Sequence, residues 1–374
     1  MVGVVRKETD CWMNPAAEAD PVLTAGGLHP DYREEMEYFY ENKVYSLQIE
    51  TTLACPQECL YCYASPPPLA ARELPAETIR TLLKAAAGME IRAIDWLGGD
   101  PLLRDDWHEL MAYARSLGMK NSIWSSGMPF QDLSVAEKAV EVSRGGFISV
   151  HLDTLDAGIY RVLHGGDPES KIRSILEGVD HLLACGKRPE EMINCITFTR
   201  PLGDGDAERT IRFFYEEKGM RTCITPLVMA GGALAHPEWR AGISAVKEAF
   251  KARDRINYPG SLISMHAMDV SRFYCGGMLC VTVDGDVTPC SVIREGFGNV
   301  HTRSLETILD RHKADLLFLP LREAGEESSP CSRCIHGRVC WGCRAAAYYA
   351  SGSLFAPDPY CWANLGKDGR GLLK

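Results

Sequence analysis

The chain reads as an α/β protein, a partial (β/α)6 barrel of the TIM type followed by a cysteine-rich C-terminal segment. Two observations lead there. Between residues 44 and 252, β-rich runs alternate with amphipathic helical stretches about six times. Such alternation builds a parallel sheet with right-handed crossovers and helices outside, and six units fall short of the eight that close a barrel. The second observation is the cysteines: of 15, three sit at 55–62 and eight fall between 275 and 361. The expected organisation is an N-terminal extension over 1–43, the barrel over 44–255 and a cysteine-rich domain over 256–374.

Taken in order, "MNPAAEADPVLTAGGLHPDY" near the start has the Pro/Gly punctuation of an extension rather than a domain. Strands are predicted at 44–50, 92–97, 121–125, 147–153, 193–198 and 222–228. Between them, apolar residues recur at helical spacing. Ile79, Leu82, Leu83 and Ala86 form one face, and Pro75 suits the first turn of that helix. Trp107, Leu110, Met111, Ala114 and Leu117 form another, and Ile172, Ile175, Leu176, Val179, Leu182 and Leu183 a third.

Bulk composition excludes several classes. Hydrophobic residues make up 46% and charged residues 24%, as in soluble globular proteins. No apolar run reaches the ~20 residues that span a bilayer, and the start lacks the apolar core of a signal peptide. A cytoplasmic protein is expected. The net charge of −10, with scattered basic residues, argues against a nucleic-acid partner. In a reducing compartment so many cysteines point to metal or redox chemistry rather than disulfides. Cys11, Cys185, Cys195 and Cys223 stand apart from the clusters, and the last three, in apolar settings, read as buried structural thiols.

"CPQECLYC" follows the first predicted strand after the short link "TTLA", which puts it on a loop at the strands' C-terminal ends. Three thiolates can hold three irons of a [4Fe–4S] cube and leave the fourth iron open for an exogenous ligand. A zinc knuckle with a fourth ligand elsewhere is the alternative. The spacing Cys55-x3-Cys59-x2-Cys62, with Tyr61 between the last two, resembles the signature of the radical S-adenosylmethionine (SAM) enzymes. The resemblance implies that the open iron binds SAM and that an electron from the cluster cleaves it. The resulting 5′-deoxyadenosyl radical would abstract a substrate hydrogen.

The second strand runs into "GGDP", similar to the family's Gly-Gly-Glu-Pro turn. The resemblance implies that Gly98, Gly99, Asp100 and Pro101 receive the amino group of SAM, glycine allowing close backbone approach. Ser125 and Ser126 end the third strand, and His151 and Asp153 the fourth, where family members place polar groups for the ribose and carboxylate of SAM. "YRVLHGG" resembles the segment that carries an arginine for that carboxylate, here Arg161.

The C-terminal array runs Cys275-x4-Cys280-x9-Cys290, then Cys331-x2-Cys334-x5-Cys340-x2-Cys343, then Cys361. It resembles the SPASM extension of many radical SAM maturases, with two residues where the usual form has three before Cys343. Eight thiolates suffice for two fully ligated [4Fe–4S] clusters, and a pair of structural zinc sites is the alternative. By resemblance, Cys275, Cys280, Cys290 and Cys343 hold the first auxiliary cluster, and Cys331, Cys334, Cys340 and Cys361 the second. Three [4Fe–4S] clusters and SAM are therefore the expected cofactors, with a flavodoxin or ferredoxin as reductant.

Substrate identity is less legible. Enzymes with this extension mostly modify peptides or proteins, and others act on tetrapyrrole side chains or aminocyclitols. The short stretch before the first strand leaves little room for a leader-recognition domain, so a peptide would be recognised by the barrel or by a separate protein. Ser291 follows Cys290 where sulfatase maturases carry Asp. His236, Trp239, His266 and Met268 lie between barrel and cysteine array, where core or surface roles outweigh a substrate pocket. The leading expectation is a maturase acting on a peptide or protein, the second is the same radical chemistry on a small molecule, and a non-catalytic iron–sulfur carrier is third.

Overall fold

The computed structural model describes residues 32–64, 72–259, 271–323 and 340–362. Strands β1 (Ser46–Thr52), β2 (Ala93–Gly98), β3 (Lys120–Trp124), β4 (Ile148–His151), β5 (Met192–Phe198) and β6 (Arg221–Pro226) pair in parallel, each with its sequence neighbour. Each lies within two residues of its expected bounds. All seven residues of β1 are buried, as in a strand covered on both faces. The expected helical faces are the ones that pack: Ile79, Leu83, Leu110, Met111, Ile175 and Leu182 share one core with Ile49, Ile94, Ile123 and Val150. Asp132, Asp156 and Asp167 each accept a backbone N–H of the helix they precede, which fixes three helix starts. Pro75 is the N-cap of the helix Ala76–Gly88 rather than part of its first turn.

Two features depart from the expected organisation. The sheet does not end at β1. Strand β7 (Met278–Val281) pairs with β1 in parallel, and β8 (Val287–Thr288) pairs with β7 antiparallel, giving the order β6-β5-β4-β3-β2-β1-β7-β8. The cysteine-rich segment thus continues the barrel's own sheet. At the other edge, the Asn257 side chain donates to Thr222 O at 2.7 Å and accepts from Thr222 N at 3.4 Å, standing in for a further strand beside β6.

The second departure lies in the expected extension, whose last residues form the helix Tyr32–Tyr40. Phe39 packs edge-on against Phe273 with ring centroids 5.1 Å apart and lies 5.4 Å from Trp341. Arg322 covers the same ring at 4.0 Å. On the barrel side the Tyr38 hydroxyl donates to Glu90 O at 2.7 Å, so the helix is a clasp between the barrel and the cysteine-rich segment. Its only sequence sign was the short recurrence of Tyr32, Met36, Phe39 and Tyr40. Among the described residues, no helix is long and apolar enough to cross a membrane.

Candidate active site

The loop after β1 carries Cys55, Cys59 and Cys62, all partly buried and outside any disulfide. Cys62 N donates to Cys59 O at 3.1 Å, a tight turn that turns the last two thiols together. Burial, reinforced by neighbouring Asp100 and Cys62, pushes the Cys55 thiol up to about 12. Burial and the other two cysteines push Cys59 well up as well. Burial and like charge thus hold Cys55 and Cys59 as neutral thiols and make them poorly placed as thiolates alone. A cationic iron–sulfur cluster reverses that penalty, so the donor set fits the group.

Two Gly-Gly turns clamp this loop. Gly99 N donates to Thr52 O at 2.6 Å and Asp100 N to Ala54 O at 2.7 Å. A Cβ on Gly98 would lie 2.2 Å from Thr52 O, and one on Gly99 2.2 Å from Ala54 O. On the far side, after β6, Cβ atoms on Gly231 and Gly232 would lie 2.4 Å from Tyr63 O and 2.3 Å from Leu60 O. Gly232 N donates to Cys62 O at 2.9 Å. The first pair, expected to approach a ligand, also admits the cysteine loop's own backbone. The second pair was missed; its signal is the repeated Gly-Gly after a strand in "VMAGGALA".

Asp100 is fully buried, and its Oδ2 accepts from Ser125 Oγ (2.8 Å), Ser126 N (2.8 Å) and Ser126 Oγ (2.6 Å). Its Oδ1 accepts from Leu102 N at 3.2 Å. The structure thus brings Asp100, Ser125 and Ser126 together as expected, but bonded to one another, tying the end of β2 to the end of β3. Pro101 is buried beside them at the start of a short 3-10 turn, Pro101–Leu103.

A second network centres on Asp153, also fully buried. Its carboxylate accepts from the Tyr61 hydroxyl, from His164 Nε2 at 3.0 Å and from Thr197 N at 2.8 Å. His151 Nε2 stands 3.2 Å from Asp153 Oδ1 and 2.8 Å from the Tyr61 hydroxyl. Burial opposes the charge on Asp153, but His151 and His164 outweigh it and hold the carboxyl well below the usual range. Burial pulls His151 down, and the adjacent Asp153 more than compensates, so its pKa is raised. Burial lowers that of His164. Tyr61, inside the cysteine motif, is thereby locked to β4, to β5 and to the helix Ala157–His164.

Gln57, Tyr160, His164 and Thr197 were not singled out from the sequence. Gln57 Nε2 donates to His151 O at 2.7 Å, and Tyr160 stacks on His164 with centroids 4.2 Å apart. Arg161 is not brought to the site. On its helix Tyr160, Leu163 and His164 face inward, which turns position 161 outward. Its side chain is 61% exposed and stands 3.7 Å from Glu169.

In the C-terminal segment, Cys290 is the meeting point. Cys275 is buried and pushed well up first by burial, then by Cys290, Cys343 and Cys340. Burial likewise raises Cys280, with Glu50 and Cys290 adding to it. The four cysteines expected in one set therefore share a neighbourhood around Cys290, and Cys340, expected in the other, borders it. Cys343 also caps the helix Arg344–Ser351, its Sγ accepting from Ala346 N at 3.3 Å. Cys361 is partly buried next to Asp358, whose carbonyl accepts its N–H at 3.1 Å. Cys331, Cys334, His266 and Met268 lie outside the described residues.

A Radical SAM superfamily profile matches residues 49–214, and an iron–sulfur cluster-binding (SPASM) profile matches residues 273–335. The chain belongs to the radical SAM superfamily and carries a SPASM domain. It is accordingly an enzyme whose cofactors are a [4Fe–4S] cluster, SAM and auxiliary iron–sulfur clusters. Among relatives, the PqqA peptide cyclase of Xanthomonas euvesicatoria pv. vesicatoria is 28% identical over 345 residues, covering 84% of this chain and 87% of that one. The AdoMet-dependent heme synthase of Methanosarcina barkeri is 23% identical over 354 residues, covering 85% and 96%. A probable GTP 3′,8-cyclase of Methanothermobacter marburgensis is 30% identical, but the match spans 36% of this chain and less than half, 43%, of that one. The crystal structure of Streptococcus suis SuiB bound to S-adenosylmethionine shares the fold at TM-score 0.60 and 17% identity, covering 88% of this chain and 81% of that one.

Proposed function

We propose that this chain is a radical SAM/SPASM maturase that abstracts a hydrogen atom from a peptide or protein. The observation that carries this reading is the similarity to PqqA peptide cyclase, which runs through barrel and cysteine-rich segment alike. Cys55, Cys59 and Cys62 hold the cluster that, when bound, reduces SAM and releases a 5′-deoxyadenosyl radical. The two Gly-Gly clamps set the position of those thiols. Backbone carbonyls at Gly98 and Gly99 would receive the SAM amino group, while Asp100, engaged with Ser125 and Ser126, supports the turn from behind. His151, ion-paired to Asp153 and partly exposed, would offer that network's imidazole to bound SAM or substrate. Cys275, Cys280, Cys290 and Cys343 serve one auxiliary cluster, Cys331, Cys334, Cys340 and Cys361 the other, and a flavodoxin or ferredoxin supplies the electron.

The experiment is anaerobic co-expression with short open reading frames flanking the gene, followed by intact mass spectrometry. A peptide that loses two hydrogens, or shifts by another defined mass, only with Cys55, Cys59 and Cys62 intact establishes the maturase. A second reading, a tetrapyrrole substrate, is favoured by the similarity to the heme synthase over 85% of the chain. It is adopted if every flanking peptide stays unmodified while 5′-deoxyadenosine forms.

A further inference from the structure

We propose that Cys195 and Cys223 form a reversible dithiol–disulfide couple inside the barrel, with small disulfides as its co-reactant. Neither cysteine belongs to the three cluster sets, and each reads in the sequence as an isolated apolar thiol. The fold makes them a pair. Cys195 on β5 and Cys223 on β6 are register partners, and their sulfurs lie 3.6 Å apart. Neighbouring strands place Cα atoms ~4.8 Å apart, inside the ~4.4–6.8 Å window that a disulfide spans. The spacing of the two strands therefore admits the bond.

The pair shares a face with His151, the residue proposed above to meet SAM or substrate. His151 is the register partner of Cys195 on the other side, so the three side chains share one face across β4, β5 and β6. Along β5 that face, Ile193, Cys195 and Thr197, is the partly exposed one. Cys195 is partly buried and Cys223 is 4% exposed, so a reagent meets Cys195 first. Ser149 Oγ stands 3.2 Å from the Cys195 sulfur. The two thiols are also chemically unequal. The Cys223 S–H, helped by Ser149 and His151 and opposed by burial, lowers the Cys195 pKa, whereas Cys223 itself is pushed well up. An attacking thiolate next to a protonated resolving thiol is the arrangement thiol–disulfide exchange needs.

The reaction balances with one disulfide molecule. The Cys195 thiolate attacks a small disulfide, forming a mixed disulfide and releasing one thiolate. Cys223 then loses its proton, attacks the Cys195 sulfur and releases the second. Two protein thiols are oxidised and one external disulfide becomes two thiols. Closure draws the Cys195 sulfur from Ser149 and from the side of His151, which is bonded to Tyr61 in the cysteine motif.

The test equilibrates the full-length reconstituted enzyme anaerobically across a glutathione/glutathione disulfide series, then quenches with acid, alkylates and digests with trypsin. Cleavage after Lys187 and Arg209 isolates Cys195, and cleavage after Arg221 and Arg240 isolates Cys223, each as the only cysteine of its peptide. The expected product is the joined pair, two hydrogens lighter than the sum, growing with the disulfide fraction and reversed by glutathione. Cys223→Ser is expected to retain glutathione on Cys195. Recovery of both peptides only as separately alkylated thiols at every ratio overturns the proposal. The readout needs no substrate and no turnover, so it stands or falls apart from the maturase reading.

Discussion

Glu50 and Arg294, 244 residues apart, form a partly buried ion pair that binds the first barrel strand to the cysteine-rich segment. Glu50 is fully buried, and its second oxygen accepts from Val283 N at 3.1 Å. Arg294 also donates to Ser291 O at 3.3 Å. The pair thus sits between the strand that launches Cys55 and the loop that carries Cys290.

Removing one partner of such a pair leaves a buried charge without compensation. Arg294→Met is expected to destabilise the protein by ~3–5 kcal/mol, read as a lower urea midpoint. Glu50→Gln combined with Arg294→Met should recover most of that loss. If the single and double variants unfold alike, the pair does not bind the two segments.

Gly99→Ala places a methyl group against the Ala54 carbonyl, where only backbone could yield. It should lower iron incorporation at the first site and weaken SAM binding at least tenfold, measured by iron analysis and equilibrium dialysis. Gly88→Ala, at the end of a helix with nothing within 4 Å, is the control and should change neither.

Replacing Cys62 by Ala should abolish 5′-deoxyadenosine release with SAM and dithionite. It should also remove about four irons per chain while the auxiliary clusters remain. Equal release from both proteins would count against the assignment of the open-site cluster.

Glu35 is buried on the helix Tyr32–Tyr40, and burial, with neighbouring Asp95, pushes its carboxyl up to about 8. The folded protein therefore holds a proton that the unfolded chain releases above its ordinary value near 4.5. Stability from this group is full below that lower value and is lost as pH rises through about 8. Thermal midpoints should fall across this window, and Glu35→Gln should flatten the fall. Tyr45, Tyr274 and Asp95 share the site, so the comparison belongs within one pH series.

The sequence alone determined the strand order in the chain, the helical faces and the two cysteine groups. Those are local signals: a period of 3.6, apolar runs of strand length, and thiols a few residues apart. The same locality explains what the sequence left open. Arg161 matched a motif by proximity along the chain, but its direction depends on helix phase, and Tyr160 and His164 took the inward positions. Asp100 sat in the expected turn, yet which donors reach its carboxylate depends on how closely β2 and β3 approach.

Tertiary structure alone decided the rest, because those contacts join segments far apart in the chain. The Gly231–Gly232 turn becomes a clamp only when β6 ends beside the loop from β1. Strand β7 extends the barrel's sheet only because β1 has a free edge there. Cys195 and Cys223, 28 residues apart, become one dithiol because two parallel strands place them in register.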